Sequence, residues 1–256
     1  MLAPEVLRVS LVQSALVWQD VQANLAHFDA LLSQVDLEED LVVLPEMFTS
    51  GFTMQPDGIS MEDQRTTLQW MHNKAAERNA ALCGSVVYQE NGKWYNRLLF
   101  VPPDGPPVHY DKRHLFRFAG EDRCFAPGLD RVVVVFRGWR ILPQICYDLR
   151  FPESARNTGE PYDLLLYVAN FPASRQWAWD QLLTARAIEN QAFTLGVNRI
   201  GRDGNGVIYG GGSVILDYQG ITLTHAGSEG GIVRASLDWQ AQVDFRRTYP
   251  FLADMQ

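Results

Sequence analysis

Two short, almost wholly apolar runs constrain this chain more than any other feature: LVVL at 41–44 and DLLLYVA at 163–169, apolar from Leu164 on. Neither is long enough for a helix, and neither alternates as a half-exposed strand would. Runs of this kind read as strands buried on both faces. A sheet built on them needs cover on both sides, from helices or from a second sheet. The chain supplies such cover. Asp20 sits where a helix N-cap belongs, and Val21, Leu25, Phe28, Leu32 and Val35 follow as one apolar helical stripe. Leu68, Met71 and Ala75 mark a second helix, and 177–192 a third.

Further strands are expected at 7–12, at 132–136 and 140–145 around Gly138, and at 193–197. Segments 81–88 and 94–101 flank Asn91-Gly92, whose tolerance of positive φ predicts a hairpin. Pro102-Pro103-Asp104-Gly105 reads as a turn, and Pro152 as the first turn of a helix beginning after Arg150. Glycine-punctuated strand then continues to about residue 238. The expectation is an α/β protein with mixed sheets. It comprises one domain over 1–256, with a core from about 7 to 240 and a C-terminal tail at 241–256.

Several functional classes fit poorly. The net charge is −8 and no dense Lys/Arg run occurs, so a phosphate-gripping nucleic-acid surface is not expected. No stretch approaches the roughly 20 apolar residues of a membrane span, and the N-terminus shows no basic leader. Three cysteines, Cys83, Cys124 and Cys146, form no CxxC and no disulfide framework, which suits a reducing, cytoplasmic setting. His27, His72, His109, His114 and His225 never fall at metal-ligand spacing, so no metal is expected.

Four segments bear chemistry: LPEMF around Glu46, YDKRHLF around Lys112, FAGEDRCFAPG around Glu121 and ICYDLRFPE around Cys146. Glu46 and Cys146 each lie just past an apolar strand, where α/β proteins open their crevices. A thiol is mostly protonated at neutral pH and needs a base to attack. A carboxylate can be that base, a lysine can hold an oxyanion, and a second carboxylate can keep that lysine charged and in place. Taken singly, each has a bland reading. A cysteine ending a strand is commonly a small buried hydrophobe, and a lysine in Lys-Arg-His a solvated face. GRDGNGVIYGGGS (201–213) lacks the spacing of a phosphate-binding loop and reads as a tight turn between strands. Trp177 and Trp179 read as core or interface residues, or less readily as the entrance to a site.

LPE, YDK and CYD with RFPE, in this order, resemble the nitrilase superfamily of carbon–nitrogen hydrolases. ARAIENQAF (185–193), VNRIG (197–201) and RRTYPFL (246–252) extend the resemblance over nearly the whole chain. The resemblance implies a four-layer α-β-β-α sandwich, homodimeric and needing no cofactor. It implies Cys146 as nucleophile, Glu46 as general base, Lys112 as the stabiliser of the tetrahedral intermediate and Glu121 as the second glutamate beside that lysine. The Tyr147 backbone N–H would be the other oxyanion donor. CYD-x-RF together with NFP at 170–172 looks like the ω-amidase branch, which hydrolyses the terminal amide of 2-oxoglutaramate and 2-oxosuccinamate.

In that reading Arg150 grips the substrate carboxylate, its bland alternative being an ion pair with Glu153 or another acid. Phe52, Phe171 and Phe48 would shape the pocket. Other carbon–nitrogen hydrolases (a nitrilase, a carbamoylase, an aliphatic amidase, an acyltransferase) share the same four residues. A non-catalytic small-molecule binder on the same fold is the reading from a different class.

Overall fold

In the computed structural model, which describes residues 6–33, 38–159 and 161–255, the apolar runs become the interior strands of two six-stranded sheets. In the first sheet β1 (Val6–Gln13), β2 (Leu41–Val43) and β3 (Ala81–Glu90) run parallel. β4 (Lys93–Val101) and β5 (Val108–Asp111) add antiparallel strands beyond β3, and β14 (Gly231–Asp238) pairs antiparallel with β1. In the second sheet β6 (Val134–Phe136) pairs antiparallel with β7 (Trp139–Ile145), and β7, β8 (Leu164–Val168) and β9 (Phe193–Val197) run parallel. β12 (Val214–Leu216) and β13 (Thr222–His225) close it antiparallel. β10 (Ile200–Arg202) and β11 (Ile208–Gly210) form a separate hairpin.

Period-two alternation decides which residues face which layer. Leu41, Val43, Ala81 and Cys83 point inward and pack with the second sheet. Val42, Leu44 and Leu82 point outward, against α1 (Val21–Leu32) and α2 (Met61–Arg78). On the far side, Trp179, Leu183 and Ala187 of α5 (Gln176–Asn190) join the cluster formed by β7, β8 and β9. The result is an α-β-β-α sandwich with mixed sheets. α3 (Glu121–Cys124) and α4 (Pro152–Ala155) are single turns, and no described helix is long and apolar enough to cross a membrane.

Local chemistry explains the boundaries. The Asp20 side chain accepts from the Ala23 N–H and starts α1; Val35 lies outside the described residues. Asn91 (φ 50°) and Gly92 (φ 74°) both take the left-handed conformation of the hairpin turn. α2 begins at Met61, before the Leu68 stripe, because Ser60 and Asp63 form a reciprocal capping box. β6 begins at Val134, while Val132 and Val133 pack against the core as irregular chain.

The segment read as a tail contains helix α6 (Trp239–Thr248), started by Asp238 accepting from Ala241 N–H. α6 is tied to the strands. The Gln242 side chain donates to the carbonyls of Asp163 and Gln191. The Arg246 guanidinium reaches Gln191 O, Tyr162 O and the buried Asp163 carboxylate at 2.9, 3.0 and 3.2 Å. Arg246→Ala is expected to lower the unfolding free energy by about 2 kcal/mol, the usual worth of hydrogen bonds to a charged group. Urea titration checks this; an unchanged midpoint would show that α6 contributes nothing to stability.

Candidate active site

The strand ends bring the four chemistry-bearing segments to one point. Cys146 follows β7 directly, Lys112 follows β5, and Glu46 lies three residues beyond β2. The first and last of these belong to different sheets from one another, so the site spans the sandwich. Cys146 opens a 3-10 turn with φ 46°, a left-handed conformation that costs a non-glycine residue about 1–3 kcal/mol. Met47, next to Glu46, is held at φ 44°. Only nine positions separate Lys112 from Glu121. The 3-10 turn Arg117–Ala119 and left-handed Gly120 (φ 80°) fold this link back on itself, so that Glu121 returns to the lysine.

Lys112 is buried with its Nζ 2.9 Å from Glu46 Oε1 and 2.9 and 3.0 Å from the two Glu121 oxygens. Burial alone would strip its proton, but the Glu121 and Glu46 carboxylates outweigh burial and hold its pKa above the ordinary lysine value. Burial pushes Glu121 up, while Lys112 pulls it down. Every polar neighbour of that carboxylate is a donor: Lys112, the Phe116 N–H at 2.6 Å and the Asn96 amide at 3.2 Å. A protonated Glu121 would have nothing to donate to, which favours the ion. The Cys146 thiol lies within the electrostatic reach of Glu46, Lys112 and Glu121. Burial first, then the Glu46 charge, push the thiol well above its ordinary pKa, so it rests protonated beside a carboxylate that can receive the proton.

Three further contacts fix the arrangement. The Asn170 N–H donates to Glu46 Oε2 at 2.8 Å and its side-chain amide to Glu46 O at 2.6 Å, binding the end of β8 to the loop after β2. Asp148 accepts from Tyr110 Oη at 2.8 Å, Ile145 N at 3.0 Å and His114 at 2.8 Å, joining the CYD and YDK segments. Gly128 N–H donates to Lys112 O at 2.9 Å, and a Cβ there would fall 2.1 Å from Asp111 O. Only glycine lets this irregular segment pass so close behind the lysine.

Cys146 lines a pocket of about 770 Å³. Phe52, Phe171, Tyr147 and Arg150 also line it. Phe52 lies under Lys112, its ring centroid 5.1 Å from Nζ. Phe48 does not reach the pocket; it packs edge-on to Phe28 in the outer core. Trp179 is buried and donates to Gly212 O, whereas Trp177 is exposed, and neither lines the pocket. The glycine-rich segment does make the expected turn, with Asp203 accepting from the N–H groups of Asn205 and Val207. It also forms a wall of the pocket through Asp203, Asn205, Val207 and Tyr209.

Arg150 forms no ion pair with Glu153. Its guanidinium lies 6.0 Å from the Phe171 ring centroid, and that of Arg175 lies 5.8 Å from the same centroid. Among the described residues no carboxylate pairs with either arginine. Asp203, the acid lining the pocket, is fully engaged by Tyr209 Oη and the backbone. Asn170 entered the sequence reading only as part of NFP, and Arg175 and Asn96 went unread, though both leave signals there. A cation at the start of a helix opposes the helix dipole, and Arg175 precedes α5. An asparagine inside a strand, as Asn96 is in WYNRLLFV, is unfavourable without a partner.

No group of three His, Cys, Asp or Glu side chains among the described residues is arranged to hold a metal ion.

Known proteins resemble this chain in sequence and in architecture. Residues 8–247 match the carbon-nitrogen hydrolase family. The omega-amidase YafV of Escherichia coli (strain K12) is 47% identical over 97% of this chain and 96% of its own length. The 2-oxoglutaramate amidase of Bacillus subtilis (strain 168) is 30% identical over 97% of each. The crystal structure of XC1258 from Xanthomonas campestris, a CN-hydrolase superfamily protein with an arsenic adduct in its active site, superposes with a TM-score of 0.90. It is 40% identical and covers 98% of this chain and 97% of its own. With sequence, sandwich and buried cysteine cluster in agreement, the chain belongs to the carbon–nitrogen hydrolase family.

Proposed function

We propose that this protein is an ω-amidase that hydrolyses the terminal amide of small 2-oxo dicarboxylate monoamides, 2-oxoglutaramate and 2-oxosuccinamate, to the acid and ammonia. The observation that carries the reading is a buried Glu46–Lys112–Glu121 cluster beside Cys146, which lines a pocket that also carries two guanidiniums without a carboxylate partner. The relatives named for the same activity support it.

The chemistry follows from the contacts. Glu46 takes the Cys146 proton as Sγ bonds to the amide carbon, and the carbonyl π electrons move to oxygen. Lys112 has three N–H protons. One goes to Glu46 and one is shared by the Glu121 oxygens, which leaves the third for the oxyanion. The Tyr147 N–H is the second donor. Glu46 then gives its proton to the leaving nitrogen, the C–N bond breaks, and ammonia departs from a thioester. Water attacks next, losing a proton to Glu46; the C–S bond breaks and that proton returns to Cys146. Arg150 and Arg175 hold the carboxylate at the other end of the substrate.

Cys146→Ala is expected to lower ammonia release by about 10⁴-fold or more, as removal of a nucleophile does. Undiminished release would overturn the mechanism. Across 2-oxoglutaramate, glutamine, asparagine, an N-carbamoyl amino acid and a nitrile, 2-oxoglutaramate should have the highest kcat/KM; a preference for glutamine would overturn the substrate assignment. Arg175→Ala should raise KM for 2-oxoglutaramate about 10- to 100-fold, the worth of one charge-assisted hydrogen bond. The loss should be at least about tenfold greater than for uncharged propionamide. Equal losses on both amides would show that Arg175 shapes the pocket without reading charge.

A further inference from the structure

Two carboxylates share one ammonium in this site, and all three are fully buried. Like charges so close, away from water, drive a proton onto one of them. A proton parked on Glu46 would stop it from receiving the one on Cys146. Asn96, in the middle of β4, stands between the two acids. Its Nδ2 lies 2.8 Å from Glu46 Oε1 and 3.2 Å from Glu121 Oε1. The residue is fully buried, so this amide has no water to bond instead.

The orientation of the amide is set from behind. Ser85, diagonally opposite on β3, donates its hydroxyl to Asn96 Oδ1 at 2.8 Å. That hydroxyl in turn accepts from the Met47 N–H at 2.9 Å, so its proton is directed at Asn96. The Asn96 carbonyl also accepts from the Lys112 N–H at 3.0 Å. One side chain thus bonds both acids while its own backbone holds the lysine.

We infer that Asn96 is a positioning residue that gives one amide proton to Glu46 and one to Glu121, holding both carboxylates against Lys112. The inference rests on the base role proposed for Glu46. A neutral donor suits the place. An acid would add a third negative charge, and a base would compete with Lys112 for the carboxylates. The other titratable groups facing Glu46 are Lys112 beyond β5, Glu121 on α3, Cys146 beyond β7 and, more remotely, Tyr209 on β11. None of them donates to both acids without itself carrying charge.

The test measures ammonia release from 2-oxoglutaramate against pH for the wild type, Asn96→Ala and Ser85→Ala, with thermal melts of each. A donor to a carboxylate favours its charged form, so losing one should move the acid limb of kcat/KM to higher pH. A displacement of about one pH unit is expected for Asn96→Ala, with kcat at neutral pH down about 10- to 100-fold and KM within about threefold. Ser85→Ala removes only the hydroxyl that aims the amide and should move the limb the same way by less. It keeps the inference open to test if Asn96→Ala fails to fold.

The pH profile of Cys146 alkylation by iodoacetamide, read by intact mass, should move with the same sign, since it draws on the same base and needs no substrate. An alkylation limb unmoved in Ser85→Ala and in any folded Asn96→Ala overturns the inference, whatever the activity. A moved alkylation limb in an enzyme that ignores 2-oxoglutaramate upholds Asn96 and overturns the substrate assignment instead.

Discussion

Lys112 has exchanged its entire hydration shell for two carboxylates, and the rest of the site depends on that exchange being complete. An ammonium group loses several kcal/mol on burial even after the protein relaxes around it. Only close, well-aimed counter-charges offset such a loss. Glu46 and Glu121 do so at 2.9 Å, and Asn96 and the Phe116 N–H occupy the remaining faces of those carboxylates. Remove one partner and a charge is left buried alone, a far larger penalty than any surface ion pair recovers. The cluster therefore constrains four strand ends, one helical turn and the spacing of the two sheets at once.

The sandwich meets that constraint by pairing sheets that differ in their connections but present parallel strands centrally. β2 delivers Glu46 from one sheet, while β7 and β8 deliver Cys146 and Asn170 from the other. The Asn170–Glu46 hydrogen bonds cross from sheet to sheet beside the thiol, so layer packing and chemical alignment are secured by the same atoms. Gly128 serves the same end from outside, allowing the chain to press against the carbonyl of Lys112.

Much of this was legible in the sequence, where local rules decide the outcome. Fully apolar runs gave buried strands, Asp20 gave a helix start, and Asn91-Gly92 gave a hairpin, because each depends on neighbours along the chain. The motif residues Glu46, Lys112, Glu121 and Cys146 were legible through family resemblance rather than through any local rule. What stayed hidden depends on neighbours far away in sequence. α6 is tied down by Arg246 and Gln242 reaching residues about 50 to 80 positions earlier. Asn96 becomes meaningful only once Glu46 and Glu121 arrive from either side. Arg175 acquires a purpose only when Phe171 and Arg150 share a pocket with it. Phe48 shows the reverse error: lying near a motif did not put it in the pocket, since its side chain follows the outward face of the fold.

The protonated state of Cys146 has a consequence away from the amide reaction. Peroxide and other electrophiles react with thiolates, and react slowly with thiols. Cysteine enzymes that store a thiolate–cation pair expose a permanently reactive sulfur. Here burial first, and then the Glu46 charge, push the thiol well above its ordinary pKa and favour the less reactive form. A sulfur held in that form is a poorer target for peroxide than a stored thiolate.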